Sequence, residues 1–300
     1  MNVDRFDVHP PLREVIEAVS RALDEDILAL GDLTAQLLEP GKTATFYVVS
    51  RSDGVVAGER CVEEVFRQID TDIRVDWVVP DGERISPGEV VAVVDGVHSN
   101  ILSAERTALN FLGHLSGVAT LTREFVDAVE EVGSSTKILD TRKTTPGLRA
   151  LEKAAVRAGG GRNHRMSLSD AVLIKDNHLK EMSIEDGVTK ARDMWPGRMI
   201  EVECDRFSQV KEAAAAGAST VLLDNMTPEE AQRCVGYLRE RGEGPNRVLA
   251  EISGGVSLTN IRAYALTGAD FISIGSLTHS APSLDVGLDV SESLDPGRDV

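Results

Sequence analysis

Cysteine and long apolar runs are scarce in this chain of 300 residues, and each shortage excludes a class of protein. The only cysteines are Cys61, Cys204 and Cys234, an odd number at wide spacing, which supports neither a disulfide framework nor a zinc cluster. No apolar run reaches the ~20 residues of a membrane helix, and the first ten residues lack the basic-then-apolar order of a signal peptide. We therefore expect a reduced, cytoplasmic protein with no membrane anchor.

Positive charge, and lysine above all, is also scarce. The chain has 49 acidic against 32 basic residues, a net charge of −17, and only 8 of the basic residues are lysine. A net charge of this sign opposes a general attraction to nucleic acid or anionic membranes. A carboxylate-rich, lysine-poor surface suits concentrated salt, where screening over ~3 Å relieves the repulsion between carboxylates. We expect a halophile with a salt-rich cytoplasm, the alternative being an acidic mesophilic enzyme.

The first third of the chain mixes a helix with short strands. Residues 11–27 place apolar side chains on one helical face, while residues 43–50 and 73–80 contain the β-branched and alternating residues typical of strands. A long helix is predicted from Ser103, which is a plausible N-cap. This part of the sequence predicts a small α+β domain.

Beyond residue 135 the pattern changes to short apolar runs separated by helical stretches. The runs are KILDT, AVLIKDN, MIEVECD, TVLLDNM, VLAEISGG and FISIGS. Continuous apolar strands that alternate with helices predict a parallel sheet covered on both faces. Six such units favour a (β/α) barrel, and a doubly wound sheet is the alternative because a complete barrel has eight strands.

Polar residues follow these six runs, at the end where barrels place their functional groups. They are Asp140, Arg142, Lys143, Lys175, Asp176, Glu203, Asp224, Asn225, Ser253, Gly254, Gly255, Gly275 and Ser276. The glycines would free backbone N–H groups to face a phosphate. A glycine-rich segment at 159–165 ends in His164 and Arg165, which add hydrogen-bond donors.

The basic residues are concentrated in one part of the chain. Residues 141–175 carry eight bases against two acids, so the rest of the chain carries −23. Arginine side chains match carboxylate and phosphate groups, and this concentration predicts a site for small anions. Arg149, Lys153 and Arg157 recur at helical spacing, and for them the alternative is a solvated helix face.

Several motifs together resemble the quinolinate phosphoribosyltransferase family, also called nicotinate-nucleotide pyrophosphorylase (carboxylating). They are AERTALNFLGHLSGVAT, ILDTRKTTPGLRALEKAAVRAGGGRNHR, LIKDNH, EVE, LLDNM, SGG and FISIGSLTHSAPSLD. The resemblance implies an α/β fold, with an N-terminal α/β sandwich domain over residues 1–115 and an incomplete (β/α) barrel of about six or seven parallel strands over 116–283. It also implies that the tail at 284–300 packs with the sandwich, and that a homodimer or higher oligomer shares its active site between subunits.

The implied reaction transfers a phosphoribosyl group from phosphoribosyl pyrophosphate to quinolinate, assisted by Mg²⁺, and releases nicotinate mononucleotide, pyrophosphate and CO₂ in NAD biosynthesis. The implied acceptor site contains Arg142, His164, Arg165, Lys175 and, from the partner subunit, Arg106. Lys143 is expected between the substrates, with Glu203 and Asp224 on the ribose hydroxyls or the metal. The expected 5′-phosphate cradle is Ser253, Gly254, Gly255, Gly275 and Ser276.

Three positions depart from the family pattern. Gly113 and His114 stand where many members carry Gln-Arg, and Ser167 stands where glycine often follows the NHR motif. Loss of a cation at residue 114 leaves open a nicotinate-using or metal-transport-associated paralogue. A Schiff-base aldolase with Lys143 or Lys175 as its nucleophile is a further alternative.

Overall fold

The computed structural model describes residues 8–242, 244 and 247–290. The chain order of its regular elements is α1 (Leu12–Asp26), β1 (Thr43–Ser50), β2 (Gly54–Val55), α2 (Glu59–Ile69), β3 (Arg74–Trp77), β4 (Arg84–Ile85), β5 (Val90–Val97), α3 (His98–Glu131), β6 (Lys137–Leu139), α4 (Arg149–Ala158), β7 (Val172–Ile174), α5 (Ile184–Met194), β8 (Ile200–Cys204), α6 (Phe207–Ala216), β9 (Thr220–Asp224), α7 (Pro228–Glu240), β10 (Leu249–Ser253), α8 (Ile261–Ala265), β11 (Phe271–Ser273), α9 (Ser276–His279) and β12 (Val286–Val290). No helix among the described residues is long and apolar enough to span a membrane.

The chain divides into two compact units. The N-terminal unit takes the residues up to Arg123, Thr144–Gly160 and the residues from Leu277 on, and the second unit takes Glu124–Lys143 and Gly161–Ser276. The predicted domain boundary at residue 115 falls within α3, which contributes to both units. The predicted tail at 284–300 includes β12, and its part from residue 291 on lies outside the described residues.

The N-terminal unit contains a four-stranded sheet in the order β12-β1-β5-β3. β1 pairs antiparallel with both β5 and β12, so a strand near the end of the described chain joins one that begins at residue 43. Apolar side chains such as Phe46 and Val48 alternate along β1 and are buried, as the sequence pattern predicted. The small α+β domain is confirmed.

The predicted start of the long helix at Ser103 is wrong by five residues. α3 begins at His98, and the Ser103 hydroxyl donates to the carbonyl of Ser99, one turn earlier. Serine makes this bond inside helices as well as capping them from outside. The residue type therefore indicated a helix without fixing where it begins.

Two glycines on α3 leave room for the chain segment that leads into β12. A Cβ built on Gly117 would lie 2.0 Å from the Pro282 carbonyl oxygen, and one on Gly113 would lie 2.9 Å from that of Leu284. The N–H of Leu284 donates to the carbonyl of Gly113 at 2.9 Å. This packing gives a structural reason for glycine at 113, one of the departures from the family pattern.

The second unit contains six parallel strands in the order β6-β11-β10-β9-β8-β7. This order is cyclic, with one seam between the first two strands in the chain, β6 and β7. Arg162 forms a parallel bridge with Leu139 beside the seam. Cyclic order is typical of a barrel, so the incomplete (β/α) barrel is confirmed and the doubly wound alternative is wrong. Helices α5 to α8 lie between successive strands.

Helix α4 does not present the solvated face that was the alternative for its basic residues. Lys153 and Glu152 are both fully buried, and α4 belongs to the N-terminal unit. His114 Nε2 lies 2.9 Å from Glu152 Oε1, and the N–H of Thr145 donates to Glu152 Oε2 at 3.0 Å. A buried carboxylate requires such partners. His114, the second departure from the family pattern, has a structural role here.

Candidate active site

A cavity of about 340 Å³ lies at the carboxyl ends of the strands of the second unit. All six strands, or the loops that follow them, contribute to its lining. The lining residues are Thr141, Arg142, Lys143, His164, Arg165, Leu173, Lys175, Glu203, Leu222, Asp224, Glu251, Ser253 and Ser273. We call this cavity the mouth, and eight residues predicted for the site are among its lining.

Two arginines at the mouth converge. Arg142 follows β6, and Arg165 ends the glycine-rich segment beside the seam. The Arg165 guanidinium donates to the carbonyl of Ala171 at 3.0 Å. Partial burial, together with the neighbouring charge of Arg142, lowers the pKa of Arg165. Like charges held together in partial burial favour binding of an anion between them.

Lysine and carboxylate side chains face each other across the adjacent strands β7 and β8. Lys175 Nζ donates to Glu203 Oε2 at 2.6 Å, and Glu203 is the more buried partner, with 14% of its side chain exposed. The Lys175 N–H donates to His178 Nδ1 at 2.9 Å, which orients the start of the loop. Asp224, at the end of β9, accepts from the Asn225 amide at 2.7 Å. The mouth therefore contains both charge types that the sequence predicted there.

Asp140 ties the glycine-rich segment to the end of β6. Its carboxylate is fully buried and accepts from the His164 N–H at 2.9 Å and from the Asn163 amide at 2.6 Å. Sequence reasoning placed Asp140 at a strand end beside the cations. The structure shows it beneath the loop that carries His164 and Arg165, where it holds that loop in place.

Two buried acids inside the barrel were missed by the sequence reasoning. Glu201 on β8 and Glu251 on β10 are 6% and 2% exposed, and His164 Nε2 lies 3.0 Å from Glu201 Oε2 and 3.6 Å from Glu251 Oε1. Burial first, and then the Glu201 carboxylate, raise the pKa of Glu251 to about 8. Residues two apart in a strand share a face, so Glu203 at the mouth was a signal that Glu201 also points inward.

The turn after β10 has the backbone that its two glycines predicted. Gly254 and Gly255 both have positive φ, of +90° and +64°. A Cβ on Gly254 would lie 2.2 Å from Asn225 Oδ1, so only glycine permits this approach to the turn after β9. Asn225 itself has φ of 54°, a conformation that asparagine tolerates better than most residues. Ser253 lines the mouth just before this turn.

The remaining predicted site residues lie elsewhere. Gly254, Gly255, Gly275 and Ser276 follow the strand ends but are not among the described residues that line the mouth. Arg106 is exposed on α3, in the N-terminal unit. The mouth lining comes from the second unit alone.

Comparison with known proteins identifies similar sequences and structures. The family models described as quinolinate phosphoribosyl transferase, N-terminal and C-terminal domains, match residues 32–116 and 118–289. A relative from Bacillus subtilis (strain 168), named probable nicotinate-nucleotide pyrophosphorylase (carboxylating), is 42% identical and covers 89% of this chain and 90% of its own length. A relative from Mycobacterium leprae (strain TN), named nicotinate-nucleotide pyrophosphorylase (carboxylating), is also 42% identical, covering 91% and 96%. The solved structure of nicotinate-nucleotide pyrophosphorylase from Francisella tularensis aligns with a TM-score of 0.88 at 38% identity, over 97% of this chain and 100% of that one.

Proposed function

Because the chain belongs to the quinolinate phosphoribosyltransferase family, we propose that it transfers a phosphoribosyl group from phosphoribosyl pyrophosphate to quinolinate, a reaction of NAD biosynthesis. The products are nicotinate mononucleotide, pyrophosphate and CO₂. The observation that supports this most is the mouth itself, where cations and carboxylates from five strand ends and the loops beside them surround one cavity. Both substrates are polyanions, and the sugar becomes positive as pyrophosphate leaves. The reaction therefore needs both charge types in one place.

The acceptor end of the proposed site is the cationic side of the mouth. Quinolinate carries two carboxylates, and the guanidinium groups of Arg142 and Arg165 present planar sets of donors that match them. Lys175 adds a third cation from the neighbouring strand end. Held there, the ring nitrogen of quinolinate can approach C1 of the ribose in a single orientation.

The donor end of the proposed site is built around Lys143, Glu203 and Asp224. The bond between ribose C1 and the pyrophosphate oxygen breaks, its electron pair leaves with pyrophosphate, and the ring nitrogen donates the pair that forms the new bond. Positive charge develops on the sugar as the bond to pyrophosphate breaks and before the bond to the ring nitrogen is complete. Fixed carboxylates at Glu203 and Asp224 stabilise that charge most when water is excluded, and Lys143 neutralises the departing phosphate.

Phosphate recognition is proposed for the backbone turns after β10 and β11. Ser253, Gly254 and Gly255 combine a hydroxyl with a left-handed turn whose N–H groups can point at one anion. Gly275 and Ser276 follow the next strand and would complete the cradle for the 5′-phosphate.

Magnesium is proposed as the assisting ion. Glu203 and Asp224 fit it because carboxylate oxygens are its preferred protein ligands, and both line the mouth beside the proposed pyrophosphate position. The ion would neutralise charge on the leaving pyrophosphate. Removal of Mg²⁺ by a chelator is expected to abolish turnover.

Loss of CO₂ requires little from the protein. The new bond to the ring nitrogen makes it positive, and the carbon–carbon bond to the adjacent carboxylate then breaks, leaving its electron pair on the ring carbon beside that charge. The carbon takes a proton from water. Arg142 and Arg165 need only hold the second carboxylate so that the ring does not turn.

We also propose that the enzyme is a homodimer or a higher oligomer, with Arg106 reaching the partner's acceptor site. Several large apolar side chains near the chain start are exposed. They are Leu12, Ile16, Leu28, Leu30, Leu33 and Leu37. A subunit interface would cover them. Light scattering is expected to give at least twice the mass of the chain, which is 32.3 kDa.

A salt-rich cytoplasm is the proposed environment, on the strength of the net charge of −17. Thermal melts at low and at molar KCl test this directly, and the midpoint is expected to rise with salt. A midpoint that does not rise would contradict the proposal.

The proposed reaction is tested by incubating the protein in molar KCl with Mg²⁺, phosphoribosyl pyrophosphate and either quinolinate or nicotinate. Pyrophosphate and labelled CO₂ are measured together. Equal amounts of both from quinolinate, and no pyrophosphate from nicotinate, are expected. Turnover of nicotinate would instead identify a paralogue with a different acceptor.

A further inference from the structure

The interior of the barrel contains a second cavity, of about 370 Å³, towards the starts of the strands. His164, Arg165 and Glu251 line both this cavity and the mouth. Glu201 lines the second cavity and is not among the described residues that line the mouth. A contribution of Glu201 to substrate binding would therefore act through a neighbour. Glu201 contacts both Glu251 and His164, and of these His164 is the one that hydrogen-bonds to Arg165.

The hydrogen bonds of His164 define which of its ring nitrogens carries the proton. Nδ1 accepts from the Arg165 N–H at 2.7 Å, so this nitrogen offers a lone pair and carries no proton. In a neutral ring the proton is then on Nε2, which donates to Glu201 Oε2 at 3.0 Å. A metal ion bound among His164, Glu201 and Glu251 would require the Nε2 lone pair, which this arrangement does not provide.

The same bonds hold Arg165. Its N–H is fixed by the His164 ring, and its guanidinium is anchored on the Ala171 carbonyl. If Glu201 stopped accepting, the ring could turn or change tautomer, and Nδ1 would then lose its bond to the Arg165 N–H. The Arg165 backbone would then be held less firmly, and its guanidinium, still bonded to the Ala171 carbonyl, would shift with that backbone.

We propose that Glu201 is a positioning residue that fixes the tautomer and orientation of His164, and through it the orientation of Arg165 towards the acceptor carboxylates. The inference rests on the proposed function for the identity of the acceptor, quinolinate. It assigns a function to a buried acid that touches no substrate.

Two substitutions at Glu201 and one matched control test the proposal. Glu201→Leu removes the acceptor and Glu201→Gln keeps an oxygen in nearly the same place. Thr220→Val is the control, because Thr220 is the register partner of Glu201 on β9, is buried, and lines the same second cavity. Removing the hydrogen-bond partner of a metal-ligating histidine costs about ten- to a hundredfold in metal affinity or activity, and we expect the lower end of that range for a histidine without a metal.

Steady-state kinetics should therefore separate the two substrates. Glu201→Leu is expected to raise the KM for quinolinate at least about tenfold, with Glu201→Gln between it and the wild type, while the KM for phosphoribosyl pyrophosphate stays within about twofold. Thr220→Val should change neither constant. An unchanged quinolinate KM in both Glu201 variants, or an equal rise in Thr220→Val, would overturn the proposal.

Nitrogen NMR of the histidine rings gives a readout that does not depend on turnover. The chain has six histidines, and a His164→Asn variant assigns the signals of His164. The wild type should show protonated Nε2 and unprotonated Nδ1, and Glu201→Gln, the variant better able to fold, should alter that pattern whereas Thr220→Val should not. An unchanged pattern in Glu201→Gln refutes the positioning role even if Glu201→Leu does not fold. If the wild type does not use quinolinate, the proposed function fails while this spectrum still tests the His164 contact.

Discussion

Two ion pairs of similar length, one on α1 and one at the mouth, lie in very different surroundings. On α1, Arg13 and Glu17 are 2.8 Å apart, with 85% and 50% of their side chains exposed. At the mouth, Lys175 and Glu203 are 2.6 Å apart, and Glu203 is 14% exposed. Water and salt screen the first pair, whereas the second lies in a cavity where charges interact more strongly. Distance alone does not identify a functional pair, but burial beside other charges does.

Breaking the mouth pair on its acidic side should have the largest effect. Glu203→Gln keeps the size of the side chain and removes its charge, so stabilisation of the developing positive sugar is lost. We expect kcat to fall about a hundredfold, with a smaller change in KM, because the interaction strengthens in the transition state. Steady-state kinetics with both substrates measure this. A change in KM alone would indicate that Glu203 contributes to ground-state binding and not to stabilisation of the transition state.

Removing Arg165, one of the cations proposed to bind the carboxylates of quinolinate, should have the next largest effect. Arg165→Ala should lose the proposed charged hydrogen bonds to a substrate carboxylate, worth about 1.5 to 3 kcal/mol, or roughly ten- to 150-fold in affinity for quinolinate. Arg165→Lys should recover only part of the loss, since an ammonium group lacks the planar fork. Isothermal titration with quinolinate measures both. Wild-type affinity in Arg165→Ala would contradict the assigned role.

Two helical glycines, one closely packed and one in open space, extend the comparison of buried and exposed sites from charge to packing. Gly117→Ala on α3 would press a methyl group against the Pro282 carbonyl and should lower the free energy of unfolding by about 1 to 3 kcal/mol. A Cβ on Gly236, on α7, would have no atom within 4 Å. The higher helix propensity of alanine should therefore raise the free energy of unfolding of Gly236→Ala by up to about 1 kcal/mol. Denaturant titrations measure both. The prediction fails if the two variants change stability in the same direction.

The smallest effect is expected where the exposed pair is broken. Arg13→Ala removes the contact with Glu17 on α1, but water replaces it for both partners. Activity and melting midpoint should both equal those of the wild type. A clear loss of stability would show that charge on α1 does more than keep the surface hydrated.

The sequence predicted the second unit well because its physical signals are local. Each strand is a short apolar run, and each functional end follows that run directly, as with Arg142 after β6 and Glu203 at β8. The charged residues that follow the strands at the mouth were therefore predictable, whereas Glu251, which lines it from within β10, was not.

Features that depend on distant partners were not predictable in the same way. In the sequence, Glu201 and Glu251 are polar interruptions of apolar strands. Only the fold shows that His164, from a distant loop, hydrogen-bonds to Glu201 and lies 3.6 Å from Glu251. Lys153 has the spacing of a solvated face and is buried because α4 packs within the N-terminal unit. In each case a partner far along the chain decides the environment of the side chain.

The pairing of β12 with β1 has a consequence for the way the protein is made. Translation delivers β1 well before β12, and until β12 emerges one edge of β1 has exposed N–H and C=O groups that can pair with other chains. The barrel strands emerge in the interval and need nothing from β12 for their own pairing. A chain that ends before β12 would therefore have all the strands of its parallel sheet, while its antiparallel sheet stays open at one side.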